Sequence, residues 1–194
     1  MIVTNAKQRE DLIEAGKRLA RILEACAKAA RAGVTAEELD DLAEKMIRDG
    51  GDIPAFLGYT PEGAMRPYPA TLCVSINDEI VHGLPNEQKK VLKTGDLVSL
   101  DLGLIHNGIV VDAATTVAVG KASKQDAALM HATEEALAAG VAAAKVGGRV
   151  GDISAAIEKV LKAANVSVVK ALGGHGVGDA VHEEPHVANF GRAN

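Results

Sequence analysis

Two aspartates, Asp101 and Asp112, lie in two strand-like runs on either side of Asn107 and Gly108. Asn-Gly is the strongest short hairpin signal in a sequence, because both turn residues must accept a positive φ. With these two residues as the loop, Gly103 pairs with Asp112. Paired residues share a face of a sheet, and faces alternate along each strand. The two carboxylates therefore lie on one face as diagonal neighbours, with Cβ atoms roughly 7 Å apart.

Two carboxylates on one face of a packed hairpin repel each other and need a cation, a proton or solvent. A pair of divalent ions about 3.5–4 Å apart fits between carboxylates at that separation. The alternative is a hairpin whose solvated face carries two surface aspartates. The opposite face of both arms is apolar and suited to a core; its residues are Val98, Leu100, Leu102, Leu104, Val111 and Val117.

Three histidines, His175, His182 and His186, fall within twelve residues near the end of the sequence. Neutral imidazole is a common ligand of transition metals. His175 lies in the run Gly-Gly-His-Gly-Val-Gly, where glycine allows a close approach of the backbone. This run lacks the lysine and the serine or threonine of a phosphate-binding loop. The run from His182 to His186 has the spacing of a helical zinc pair, but Pro185 disfavours a helix there.

A fourth histidine, His82, ends a strand-like segment just before Gly83 and Pro85. A single histidine is usually a hydrogen-bonded structural residue, but the turn that follows this one lets its side chain face a cleft. Taken together, these residues predict a metal site of two aspartates and one or more histidines on an α/β scaffold.

The composition limits the classes of protein to consider. The chain has 194 residues, which is enough for one large domain or two small ones, and only two tyrosines and two phenylalanines, so the core is aliphatic. The net charge of −5 argues against nucleic acid as a main partner. Cys26 and Cys73 make no disulfide framework, which suits a reducing cytosol. We expect no signal peptide and no membrane span.

The spacing of apolar residues predicts four helices, over 6–32, 36–50, 123–145 and 152–164. Their expected N-caps are Thr4 or Asn5, Thr35 in a capping box with Glu38, Ser123 and Asp152. The first two helices are assigned no chemistry. Besides the hairpin, strands are expected over 72–76, 79–82 and 166–172. The proline-rich segment 52–70 is expected to be irregular, either as a functional loop or as an ordinary surface connection.

Several blocks together resemble bacterial type I methionine aminopeptidase. They are YPATLCVSINDEIVHGLP from Tyr68, TGDLVSLD ending at Asp101, Asp112 itself, GHGVG from Gly174 and HEEP from His182. The resemblance extends from the first helix to about Arg192. It implies an α+β chain with the pita-bread (creatinase/aminopeptidase) fold, two αβ halves around a two-metal site.

The resemblance also implies a function and a role for each site residue. The activity is removal of the initiator methionine from nascent polypeptides, preferably before a small second residue. We also expect a cytoplasmic monomer that binds neither nucleic acid nor a membrane. The cofactors are two divalent ions (Co, Mn, Fe, Zn or Ni). Asp101 resembles a ligand of one ion, Asp112 the bridging carboxylate and His175 a ligand of the second. His82 and His182 resemble the histidines that contact substrate and assist catalysis.

Other residues receive weaker predictions. Tyr59, Tyr68 and Cys73 are expected to contribute to an apolar pocket for the methionine side chain. His106 and His131 are interpreted as surface residues, and His186 as structural.

The sequence departs from the family at its end, because the family has two further glutamate ligands on later strands and the sequence stops at Asn194. Glu183 and Glu184 are the only nearby substitutes. We therefore expect a single catalytic domain over 1–194 with an incomplete second half, and the activity of this exact chain is in question. The alternatives are another pita-bread metallopeptidase, such as an Xaa-Pro aminopeptidase, and a metal-free binding module.

Overall fold

The computed structural model describes residues 1–61 and 63–193. Its helices are α1 (Ala6–Ala29), α2 (Ala36–Asp49), α3 (Lys124–Ala143) and α4 (Val150–Ala163). Its strands are β1 (Ile53–Pro54), β2 (Leu72–Ile76), β3 (Leu97–His106), β4 (Ile109–Ala118), β5 (Gly173–Gly176) and β6 (Glu183–Ala188). Within the described part of the chain, no helix has the length and apolar character needed to cross a membrane.

The chain divides into two compact units. The first unit contains Met1–Ala122 and Val177–Val181, and the second contains Ser123–Gly176 and the residues from His182 onward. Each unit has its own helices and its own sheet. Asp101, Asp112 and His82 thus belong to the first unit, whereas His175 and His182 belong to the second.

The sheet of the first unit is organised around β3. Strand β4 pairs with β3 along its whole length, while β2 and β1 pair antiparallel with different stretches of it. Because β4 occupies one edge of β3, β1 and β2 share the other. Asn107 and Gly108 close the β3–β4 hairpin with φ values of 50° and 83°. The predicted register is confirmed, with Gly103 opposite Asp112.

One face of this sheet packs against α1 and α2. The side chains of Val98, Leu100, Leu102 and Leu104 alternate along β3 and are all fully buried. They join one aliphatic core with residues of both helices, among them Leu19, Ile22, Leu23, Leu39, Ala43 and Ile47. Burying each such side chain contributes about 1.5–3 kcal/mol. This core therefore fixes which face of the hairpin carries the two aspartates.

Capping explains where the helices of the first unit begin. The Asn5 side chain accepts a hydrogen bond from the Gln8 amide, and Thr35 and Glu38 form the predicted reciprocal capping box. Helix α1 ends at Ala29 instead of continuing to residue 32, because the chain turns there and the Gly33 amide donates to the Leu92 carbonyl.

The second unit consists of α3, α4 and the two-stranded sheet β5–β6 in the part that the structure describes. Small residues allow α3 and α4 to approach closely, since a Cβ on Gly140 would lie 2.9 Å from Cγ1 of Ile157. Ser123 caps α3 as predicted. Helix α4 begins at Val150, earlier than predicted, and Asp152 accepts from the Arg149 amide instead of being the N-cap residue.

Two predicted strands are wrong. Residues 79–82 form no strand, because the chain bends at Asn77 (φ 56°) and the Glu79 side chain accepts a hydrogen bond from the Ile76 amide. Residues 166–172 also form no strand; Val169 is half-exposed, and the pairing begins only at Gly173. The described residues of the segment 52–70, which are 52–61 and 63–70, are irregular as predicted, apart from the two residues of β1.

Candidate metal centre

Asp101 and Asp112 lie together on the face of the sheet that is turned away from the aliphatic core. Asp101 pairs with Ala114 and Asp112 with Gly103, so the two aspartates are diagonal neighbours. Their carboxyl groups are within hydrogen-bond reach of each other. The predicted arrangement of the pair is therefore confirmed, while the metal-binding role of each residue stays a prediction.

The two carboxyl groups are partly buried, which makes their mutual repulsion costly. Desolvation, followed by the charge of Asp101 and the hydrogen bond to it, raises the pKa of the Asp112 carboxyl to about 7. Two ionised carboxylates at such close range need a compensating charge, and a hydrogen bond between them needs a proton. A divalent cation satisfies the same requirement, because carboxylate oxygens are suitable ligands for it. The residues present therefore fit a metal ion.

Apolar groups surround the pair on the same face. Ala55, Phe56, Cys73, Val110 and Val181 form a second buried cluster, against which Tyr59, Tyr68 and Ile105 pack. Cys73 is the β2 partner of Asp101. Burial raises the pKa of the Cys73 thiol to about 12, so the thiol is neutral at physiological pH. Tyr59, Tyr68 and Cys73 thus pack together beside the aspartates, which is consistent with the predicted pocket.

His82 lies at a sharp turn in the same unit and has a left-handed backbone conformation with φ 57°. The following residue must be glycine, because a Cβ on Gly83 would lie 2.2 Å from the Val74 carbonyl oxygen. His82 borders a cavity of about 340 Å³ that Leu84 and Glu87 also line. His82 is itself exposed, and its role in contacting a substrate stays a prediction.

The second unit brings His175 and His182 together. Their ring centroids are 4.3 Å apart. The Nδ1 atom of His175 lies 3.0 Å from the Gly176 carbonyl oxygen, which favours the tautomer with a proton on Nδ1 and the lone pair on Nε2. His186 pairs with His175 across the ladder, but its ring lies over Gly173. Because this segment is strand β6, the helical zinc pair is excluded.

One histidine prediction is wrong. His106 is not a surface residue: its side chain is only 11% exposed, and Nδ1 lies 2.7 Å from Oδ1 of the buried Asp52. Arg18 donates to the other oxygen of Asp52. Asp52 reaches His106 because β1, which directly follows Asp52, pairs with β3. A strand of two residues is too short to give a sequence pattern, so this contact could not be predicted. His131, in contrast, is exposed as predicted.

Across residues 1–61 and 63–193, no three histidine, cysteine, aspartate or glutamate side chains form a group that could hold a metal ion. Asp101 and Asp112 are the two predicted ligands that lie in one unit. The sequence placed Gly103 opposite Asp112 but did not single out Phe56, whose ring lies over Gly103. Only the absence of a side chain at residue 103 could have pointed to it.

A partly buried carboxylate pair on an α+β scaffold is consistent with a metallopeptidase. The chain belongs to metallopeptidase family M24, whose model matches residues 10–194. Its relatives in that family include methionine aminopeptidases. The Clostridium acetobutylicum enzyme is 40% identical over 192 residues, covering 99% of this chain and 74% of that protein. The Aquifex aeolicus enzyme is 43% identical over 180 residues, covering 93% of this chain and 69% of that protein.

Solved structures agree on the fold. The Thermotoga maritima methionine aminopeptidase superposes with a TM-score of 0.92 and 34% identity, covering all of this chain and 75% of that one. An X-Pro aminopeptidase from the same organism is only 20% identical with a TM-score of 0.76, so it supports the fold alone. The predicted α+β pita-bread fold and the enzyme class, a metal-dependent hydrolase, are confirmed. The chain spans about three quarters of the length of these methionine aminopeptidases.

Proposed function

We propose that this chain is a methionine aminopeptidase that removes the initiator methionine from nascent polypeptides, with a preference for a small second residue. The observation that carries the proposal is the pair of partly buried carboxylates at Asp101 and Asp112, held by a hairpin in a chain of family M24. The relatives named methionine aminopeptidase support the choice of substrate.

Asp101 and Asp112 would hold two divalent ions, with Asp112 shared between them, and His175 would be a further ligand through Nε2. When bound, such ions polarise a carbonyl group and lower the pKa of water. The carboxylate pair would provide the negative charge that a divalent ion neutralises. The identity of the ions is one of Co, Mn, Fe, Zn and Ni.

The histidines would act on the substrate itself. His82, at the edge of its cavity, would contact the peptide near the scissile bond and exchange a proton with it. His182, whose ring lies against that of His175, would stabilise the negative charge that develops on the carbonyl oxygen. Tyr59, Tyr68 and Cys73 would form an apolar wall for the methionine side chain, and a neutral thiol suits that role.

Hydrolysis of the peptide Met-Ala-Ser with added Co(II) or Mn(II) tests this function. We expect release of methionine that EDTA abolishes, by this chain or by the lengthened version described below, and no cleavage of an Xaa-Pro peptide. Asp112→Ala should eliminate the activity, whereas the exposed Asp78→Asn should not change it. Cleavage of the Xaa-Pro peptide alone would contradict the proposal.

The same assay should include a version lengthened past Asn194 with the corresponding residues of the Clostridium acetobutylicum relative. Activity confined to the lengthened version would support the expectation that two further glutamate ligands are needed. Inactivity of both versions, with metal bound, would contradict the proposed function.

A further inference from the structure

Phe56 occupies the space that Gly103 leaves open on the sheet. A Cβ on Gly103 would lie 2.6 Å from Cε1 and 3.1 Å from Cδ1 of the Phe56 ring. The backbone fixes this approach, because the Ala55 amide donates to the Gly103 carbonyl at 3.0 Å, directly after β1 pairs with β3. The ring is 8% exposed. Phe56 therefore takes the place of a side chain at residue 103.

That place is beside Asp112. Gly103 is the direct ladder partner of Asp112, and directly paired residues have Cβ atoms about 4.5–5.5 Å apart on the same face. Without the ring, the missing side chain would leave a gap into which the Asp112 carboxylate could rotate. The other neighbours of Asp112 on this side, Ile105 and Val110, are apolar members of the same cluster. Asp101, at the opposite diagonal, is a polar neighbour.

We propose that Phe56 is a positioning residue for the metal centre: its ring, seated over Gly103, keeps the Asp112 carboxylate turned toward Asp101. The proposal rests on the proposed metal-binding function of the two aspartates. This positioning role differs from ordinary core packing, because a core residue affects the stability of the fold without selecting the rotamer of one carboxylate.

Titration calorimetry of the whole chain with Mn(II), at one fixed pH, tests the proposal. Residues that orient metal ligands typically change metal affinity about 10–100-fold when they are removed, so we expect a loss of that size for Phe56→Ala. Phe56→Leu, which refills most of the space, should restore most of the affinity. Leu92→Ala is the matched control, since Leu92 is fully buried in the aliphatic core; it should destabilise the fold and leave the affinity unchanged.

A second measurement works without metal. In EDTA, urea unfolding of Phe56→Ala, Asp112→Asn and the double variant gives a double-mutant cycle. We expect the two substitutions to be non-additive by about threefold or more in the unfolding equilibrium constant, and Phe56→Ala with Asp78→Asn to be additive.

The two measurements separate the possible failures. If the native chain binds Mn(II) and Phe56→Ala binds it equally well, the positioning role is wrong. If the native chain does not bind Mn(II), the proposed metal function is wrong, and the cycle alone decides the inference: additivity of Phe56→Ala and Asp112→Asn would overturn it.

Discussion

Asp40 provides the sharpest test of how the fold supports the site. This carboxylate on α2 is 7% exposed, and Oδ1 accepts hydrogen bonds from the Thr71 and Leu72 amides, both at 2.8 Å. Leu72 begins β2 and Thr71 directly precedes it; the next residue of the strand, Cys73, pairs with Asp101. Asp40→Ala would leave two fully buried N–H groups without an acceptor.

The expected cost follows from these contacts. An orphaned buried donor costs about 1–3 kcal/mol, so two of them cost about 2–6 kcal/mol. Removing a buried charge offsets part of this loss, and we expect Asp40→Ala to lower the free energy of unfolding by about 2–4 kcal/mol. Asp40→Asn keeps a carbonyl oxygen for both amides and carries no charge, so it should retain most of the native stability.

The two variants should also differ from the native chain in their dependence on pH. Burial raises the pKa of the Asp40 carboxyl above its ordinary 3.8, although the two amide bonds oppose the shift. The folded chain then binds this proton more tightly than the unfolded chain, so the native stability falls as pH rises from 3.8 through the raised pKa. Neither Asp40→Asn nor Asp40→Ala contains this group, so both should lack its contribution.

Urea denaturation in EDTA, at pH 4 and pH 8, measures both effects. Asp41→Asn is the matched control on the same helix, because Asp41 is exposed. A loss below about 1 kcal/mol for Asp40→Ala, or an equal loss for Asp40→Asn, would refute the argument from orphaned amides.

Three further predictions concern other parts of the chain. Asp112→Ala should abolish Mn(II) binding in calorimetry, whereas Asp101→Ala should keep weak binding of one ion; equal stoichiometry in both variants would contradict the bridging role. His106→Ala should lower the free energy of unfolding in urea by about 1–3 kcal/mol, because it removes one of the polar partners of the buried Asp52. An unchanged unfolding midpoint would show that the hydrogen bond from Arg18 is enough for the Asp52 carboxylate. Thr35→Ala should cost about 1 kcal/mol through loss of the α2 cap, and Thr35→Ser should not.

The parts of the fold that follow local rules were predictable from the sequence. Asn107 and Gly108 determine the turn, the turn determines the register, and the register places Asp101 and Asp112 on one face. The capping box at Thr35 is equally local, since its partners are three residues apart. These features need no knowledge of the rest of the chain.

The features that were missed depend on contacts between distant segments. Asp52 reaches His106 across 54 positions, and Phe56 reaches Gly103 only because β1 joins the edge of β3. The strand predicted at 166–172 is wrong for a related reason. Its apolar residues suit a strand, but a strand also needs a neighbouring strand with which to pair. Sequence patterns report local preference and do not report such partners.

The two-residue turn between β3 and β4 also has a kinetic consequence. A hairpin of this kind closes within about 1–10 μs, since it needs no contact between distant parts of the chain. We therefore expect the hairpin that carries the acidic pair to form early, before α1 docks on the sheet. In that order of events, repulsion between the carboxylates acts while the chain is still folding, and the surrounding apolar residues close over a pair that already exists.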